Sequence, residues 1–401
     1  MDIDGLKSLA GASIAGKRVL VRADLNVPMA DGRVSDATRI ERLLPTLSML
    51  QDAGAKIILM SHMGRPKGKR AEDMSLAPVA EALGAMVPGT HVRFAGDCIG
   101  QAALDVVAQL DDGEIAVLEN LRFHAGEEAN DHAFAKGLAQ LGDIYVNDAF
   151  SCAHRAHAST EAIARLLPAY AGTQMLAELH ALASALERPE RPVLAVVGGA
   201  KIASKIGVLS HLIDRVDALI IGGGMANTFL HAQGFDVAKS LHESDLAQTA
   251  RDILDAAKKA QCDVLLPVDA VAAEAFEADA PHSICDVAAV PPGTMILDAG
   301  PKSLELFKAR LAASKTALWN GPLGAFEIAP FGEGTFVLAQ EAARLTGTGA
   351  LVSVAGGGDT VAALNAAGVT DDFSYVSAAG GAFLEWLEGR ELPGVAALLQ
   401  S

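Results

Sequence analysis

The sequence predicts an α/β protein made of two doubly wound domains with parallel sheets. Three observations lead there. Short apolar runs recur without polar alternation, as strands buried on both faces require. Ala-rich, charge-studded stretches long enough for helices, such as residues 246–260 and 303–313, separate them. The runs fall into two series, one on each side of a proline-terminated helical stretch near the middle of the 401-residue chain.

Taken in order, the first series reads RVLV (18–21), KIILM (56–60), a weaker HVRF (91–94), EIAVL (114–118) and DIYV (143–146). The second reads VLAVV (193–197), ALII (218–221), DVLLPV (263–268), TALW (316–319) and ALVSV (350–354). Between them QMLAELHALASAL (174–186) has helical periodicity, and the two prolines in residues 187–192 end it. Another break at residues 388–393 precedes an apolar tail, 395–399, too short to do anything but dock on a folded surface. The expected division is a domain over 1–172, a linker helix and hinge over 173–189, a domain over 190–388 and a tail over 389–401.

The net charge of −17 argues against nonspecific nucleic-acid binding, although locally concentrated cations can still hold an anion. Cys98, Cys152, Cys262 and Cys285 are widely spaced and form neither a disulfide framework nor a C-x-x-C zinc signature. The start MDIDGLKSLA lacks a basic, apolar leader, and no apolar run approaches eighteen residues. The expected setting is a reducing cytoplasm, with no membrane partner.

Ligands of open α/β sheets bind beyond the carboxyl ends of the strands. In the first series those ends deliver Asp24 and Asn26, then His62 and Arg65, then Arg122, then Arg155. Arg39 follows the helix-capping pattern of Asp36 at the head of a helix over residues 38–50. Singly, each arginine reads as a surface charge. Together they read as a basic cup for a small phosphate-bearing polyanion, since Arg grips carboxylate and phosphate bidentately.

In the second series the strand ends are glycine-rich. PVLAVVGGAKIASKI (192–206) reads as a strand, a glycine turn and a helix from about Ala203, with Lys201 and Lys205 on one face. An ordinary βα turn with two solvated lysines fits that stretch equally well. Gly222-Gly223-Gly224 follows the next run, Asn320-Gly321-Pro322-Leu323-Gly324 with Glu327 another, and Gly356-Gly357-Gly358-Asp359-Thr360 the last. Glycine-rich helix starts wrap phosphates with N–H groups, and Asp359 would reach a Mg²⁺ on those phosphates or serve as a plain N-cap. Glu327 reads as a ribose acceptor or a surface carboxylate. Walker A, dinucleotide G-x-G-x-x-G and protein-kinase signatures are absent.

With RADLNVP (22–28), SHMGRP (61–66), LENLRF (118–123), NDAFSCAHRAHAS (147–159), GGAKIASKI (198–206), GGGMANTF (222–229), WNGPLGAFE (319–327) and GGGDT (356–360) in this order, the chain resembles the phosphoglycerate kinase family along essentially its whole length. The resemblance implies two similar-sized domains joined by a helix, with the C-terminal tail packing back on the N-terminal domain. It implies reversible transfer of a phosphoryl group between 1,3-bisphosphoglycerate and ADP, giving 3-phosphoglycerate and ATP, by a monomer using Mg-ADP or Mg-ATP. Asp24, Asn26, Arg39, His62, Arg65, Arg122 and Arg155 would bind 3-phosphoglycerate. Lys205, Glu327, Gly357, Gly358, Asp359 and Thr360 would contact the nucleotide, with Asp359 directed at Mg²⁺. Gly223, Gly224, Pro322 and Leu323 would wall the adenosine pocket. Lys201, itself at the nucleotide site, and Arg39 would stabilise the group in flight, joined by Gly380 in a helix start facing that phosphate.

The chain departs from the family pattern in places. Ser377-Ala378-Ala379-Gly380-Gly381-Ala382 replaces the usual Thr and first Gly by alanines, Tyr375 stands where a His is common, and Ser204 where an Asp is. The two alanines leave open a weakened family member acting as a binding or scaffold protein. A nucleotide-linked dehydrogenase is the other alternative, disfavoured by the missing dinucleotide fingerprint.

Overall fold

The computed structural model describes residues 5–399; the acidic start (residues 1–4) and the last two residues of the expected tail domain lie outside the described residues. Two compact units are present, residues 5–180 with 391–399 in one and residues 181–390 in the other. The chain passes between them within a helical stretch, Thr173–Leu182 followed by a π-turn, Ala183–Glu187.

In the first unit the strands are β1 (Arg18–Ala23), the hairpin β2 (Met29–Ala30) and β3 (Arg33–Val34), β4 (Lys56–Met60), β5 (Val92–Ala95), β6 (Ile115–Leu118), β7 (Ile144–Asp148) and β8 (Ala169–Ala171). Six of them form a parallel sheet in the order β5-β6-β4-β1-β7-β8. The central strands are almost wholly buried, the physical reason their sequences lack alternation. On one face Val19, Val21, Ile57 and Leu59 meet Ile40, Leu43, Leu47 and Leu50 of the helix Thr38–Asp52. Ala37, rather than Asp36, takes that helix's capping position. Asp36 acts from one residue further out, its carboxylate accepting from the Thr38 N–H (2.9 Å) and hydroxyl (2.6 Å).

The second unit adds β9 (Val193–Val197), β10 (Ala218–Ile221), β11 (Asp263–Leu265), β12 (Asp269–Ala273), β13 (His282–Asp286), β14 (Met295–Ala299), β15 (Thr316–Asn320), β16 (Val352–Gly356) and β17 (Tyr375–Ser377). A parallel sheet runs β11-β10-β9-β15-β16-β17, and a separate antiparallel sheet runs β13-β12-β14. The run expected over 263–268 stops at Leu265, because Pro267 has no N–H to give a ladder. A second correction concerns the glycine turn after β9. Its helix is Ile206–Ile213, with Lys205 at the cap, so Lys201 and Lys205 precede the helix instead of sharing its face.

In each main sheet the chain leaves one central strand for one side and its neighbour for the other. β1 leads to β4 while β7, on its other flank, leads to β8; β9 leads to β10 while β15 leads to β16. At such reversals the loops diverge and open a crevice.

The tail helix Pro393–Leu399 belongs to the first unit, with Val395 fully buried and Gly394 against Ala153. The Gly394 N–H donates to the Ala153 carbonyl at 2.9 Å. Val395→Ala removes two buried methyl groups and should lower the unfolding free energy of this unit by about 1–3 kcal/mol in urea denaturation. An unchanged midpoint would show that the tail only rests there.

Candidate active site

At the β1/β7 crevice of the first unit, polar side chains converge through a continuous hydrogen-bond chain. Arg39 Nη1 donates to Asp24 Oδ2 (2.7 Å) and to the Asn26 carbonyl (3.1 Å), while the Ser151 hydroxyl donates to the same Asp24 oxygen (2.6 Å). Asn26 Oδ1 accepts from the Gly64 N–H (2.9 Å), and Arg122 Nη1 donates to the Gly64 carbonyl (2.8 Å). Arg122 itself is held by Asn120, whose Oδ1 accepts its backbone N–H at 3.0 Å. Its buried Nε has no hydrogen-bond partner; Glu128 lies 3.5 Å away, within ion-pair range but without bonding geometry.

The apolar run RVLV (18–21) would leave Arg22 just beyond its strand. It lies inside β1 and is fully buried, its Nε donating to Ser159 (2.9 Å) and its Nη2 lying 3.1 Å from His62 Nδ1. Burial, then the charge of Arg22, Arg122 and Arg39, drives the His62 pKa far below its ordinary value. Burial, then Arg122, Arg22 and Arg155, lowers that of His157 to about 4. The arginines therefore act on one small region. Arg155 is exposed and touches His154 (3.1 Å), and Arg65 is exposed with no hydrogen bond among the described residues. The first unit thus joins Asp24, Asn26, Arg39 and Arg122 in one hydrogen-bonded chain, with His62 bonded to Arg22, Arg155 acting through charge and Arg65 exposed.

In the second unit a cavity of about 500 Å³ opens beside the β9/β15 crevice. Gly223, Gly224, Pro322, Leu323, Glu327 and Asp359 line it, joined by Asn227, Lys239, Phe276 and residues 295–298. Its size suits a ligand of some tens of atoms. Much of its wall is backbone. A Cβ at Gly198 would overlap the Pro322 carbonyl oxygen, and one at Gly223 (φ +68) would lie 2.6 Å from the Gly199 carbonyl. The antiparallel sheet supplies Met295 to Asp298 through β14, a contribution sequence patterning missed. Buried Asp298 accepts the Gly334 N–H (2.8 Å), and burial pushes its carboxyl up to about 7.

Lys201, Lys205, Gly357, Gly358 and Thr360 fall outside that lining. Lys205 Nζ donates to Asn320 Oδ1, and Asn320 Nδ2 donates to the Gly356 carbonyl (2.7 Å). Burial lowers the Lys205 pKa while Asp359 and Glu388 oppose it. Asn320 is a positioning residue that sequence reasoning quoted without a role; its signal was its place immediately after the TALW run. Lys201 is exposed and Ser204 Oγ donates to its carbonyl (3.0 Å). Gly357 (φ +102) opens the helix Gly358–Ala367 with no side-chain cap, so Asp359 is not an N-cap; it lies exposed in the first turn. Thr360 Oγ1 accepts the Gly321 N–H at 2.8 Å. The helix Gly380–Leu387 starts alongside, a Cβ at Gly380 coming within 3.8 Å of the Gly358 nitrogen. Two helix starts without side-chain caps therefore stand side by side, a geometry chemically able to hold an anion. Ala379 holds φ −98, a conformation open to alanine, so this turn accepts the replaced glycine.

Residues 9–390 match the family model described as phosphoglycerate kinase. A curated relative of that name from Methylobacterium radiotolerans is 63% identical over 386 residues, 96% of each chain. Another, from Granulibacter bethesdensis, is 58% identical over 392 residues, covering 98% of this chain and 99% of its own. The solved structure of phosphoglycerate kinase from Coxiella burnetii has 41% identity, a TM-score of 0.91 and 98% coverage of both chains.

The glycines predict a contrast. Gly198→Ala should lower stability by about 1–3 kcal/mol or more, because two backbones must part. Gly380→Ala, with its nearest neighbour at 3.8 Å, should leave the thermal midpoint unchanged or raised. Equal midpoints for the two variants would contradict the backbone-wall reading.

Proposed function

As a member of the phosphoglycerate kinase family the chain is an ATP:3-phosphoglycerate phosphotransferase, and we propose that it works by charge neutralisation and positioning alone. The observation that carries this reading is the concentration of Arg22, Arg39, Arg122 and Arg155 at one sheet edge of a protein with net charge −17. A carboxylate acceptor is already ionised near neutral pH, so no general base is needed. Asp24, Asn26, Arg39, His62, Arg65, Arg122 and Arg155 hold the acceptor. His62 does so as a neutral imidazole, because its pKa lies far below the working range.

On the other unit the glycine walls Gly223 and Gly224, with Pro322 and Leu323, take the adenosine, and Glu327 accepts from its ribose. Gly357, Gly358 and Thr360 present backbone and hydroxyl groups to the phosphates, and Lys205 approaches them from Asn320. Asp359, an exposed carboxylate on the cavity lining, suits a hard cation and would hold Mg²⁺. When bound with the nucleotide, that ion neutralises phosphate charge. Lys201 and Arg39 stabilise the transferring group, with the Gly380 helix start donating N–H groups to it. The allowed backbone at Ala379 supports the enzyme over the scaffold alternative. The reading includes a monomer in the cytoplasm that acts on small molecules rather than nucleic acid. No helix among the described residues is long and apolar enough to cross a membrane.

A coupled assay with 3-phosphoglycerate, ATP and Mg²⁺ tests the whole reading, and absence of turnover would favour the scaffold. Lys201→Ala and Arg39→Ala should each lower kcat by about two orders of magnitude. Near-normal kcat in either removes that residue from the mechanism. Arg65→Ala should instead raise KM for 3-phosphoglycerate about tenfold with kcat largely kept; an unchanged KM counts against its place in the acceptor site. Direct transfer also needs donor and acceptor within bonding distance, so a closing motion about residues 173–189 belongs to the reading. Small-angle scattering should show a smaller radius of gyration with both substrates bound, and no change would sink the hinge.

A further inference from the structure

On the loop that carries Arg122, and on its neighbour, the turns after β6 and β5 bring three metal-ligating side chains together. Asp97 and Cys98 follow β5, and His124 follows the short turn Leu121–Phe123 after β6. β5 and β6 are parallel neighbours, so these loops leave the same sheet edge. Asp97 Oδ1 lies 2.7 Å from His124 Nε2, and one donor atom from each of Asp97, Cys98 and His124 lies within 4.8 Å of the others. Cys98 is buried, whereas Asp97 and His124 are part-exposed and give access from solvent. The Cys98 N–H donates to Asp97 Oδ1 at 2.6 Å, which fixes the carboxylate beside the thiol. Phe134 backs the His124 ring at a centroid distance of 5.2 Å.

We propose that Asp97, Cys98 and His124 form a binding site for one borderline-soft divalent cation of the zinc class. A thiolate, an imidazole and a carboxylate suit such an ion, with water completing a tetrahedron, and disfavour Mg²⁺. Tetrahedral ligands at zinc distances stand roughly 3.3–3.7 Å apart. The Asp97–His124 contact therefore lengthens on binding, a change that two part-exposed loop side chains accommodate. His124 binds through Nε2 with its proton on Nδ1, and the Cys98 thiol releases its proton to solvent, one per ion. Without an ion, burial and the nearby carboxylates of Asp97 and Glu127 keep that thiol protonated. A cation reverses this penalty.

The test uses the full chain without nucleotide, titrated with Co²⁺ and followed by sulfur-to-cobalt charge-transfer absorption in the near ultraviolet. The expected result is a band that saturates at an equimolar ion and is displaced by Zn²⁺. It should be absent from Cys98→Ser and unaffected in Cys285→Ser. His124→Gln, at a part-exposed position, should fold and bind about tenfold more weakly or worse; it carries the test if the Cys98 variant does not fold. No band, a band that survives Cys98→Ser, or full affinity in His124→Gln would overturn the site.

Discussion

The second unit depends on a backbone meeting a backbone. At its sheet reversal the Pro322 carbonyl occupies the space where a side chain at residue 198 would begin, and Gly321 reciprocates against Gly198. Only paired glycines let the loops after β9 and β15 close to this distance. Their contact sets one wall of the cavity, and Gly223, tucked against Gly199, sets the next. Lys205, Asn320 and Thr360 then hang from this frame through the hydrogen bonds that join them to β15 and to the helix start at Gly358.

The first unit is organised by charge. Arg22 is wholly inside the protein, and buried Glu127 provides its counter-charge while accepting the Ser159 N–H and hydroxyl at 3.0 and 2.6 Å. Burying such a pair is costly unless its remaining donors are satisfied, and here Ser159 and the Ala23 carbonyl do so. The return is positive potential at the sheet edge. His62 and His157 stay neutral beside it through the physiological range, so the arginines alone carry the charge that an anionic acceptor meets.

Long central strands were readable because burial on both faces leaves an unbroken apolar run, as in β1, β4, β9 and β15. Three-residue edge strands such as β8 and β17 left no such mark, since the run is too short to stand out. The antiparallel β12–β14 sheet was also missed; β13 is mostly exposed, and its pattern resembles a loop. The same limits apply at the site. Polar residues just past strand ends were legible by position, whereas Ser151 and Asp298 act through neighbours far away in the chain.

By itself the sequence determined the two parallel-sheet series, the residues delivered beyond their strands and the glycine-rich character of one set of loops. These follow from local rules: apolar runs, helix formers and turn residues act over a few positions. Only the tertiary structure decided that Lys201 and Lys205 precede their helix, that Arg22 is interior, and that the helix starts at Gly358 and Gly380 stand side by side. Those outcomes depend on which strands become neighbours in the sheet, and neighbours such as β15 and β9 lie more than a hundred residues apart in the chain.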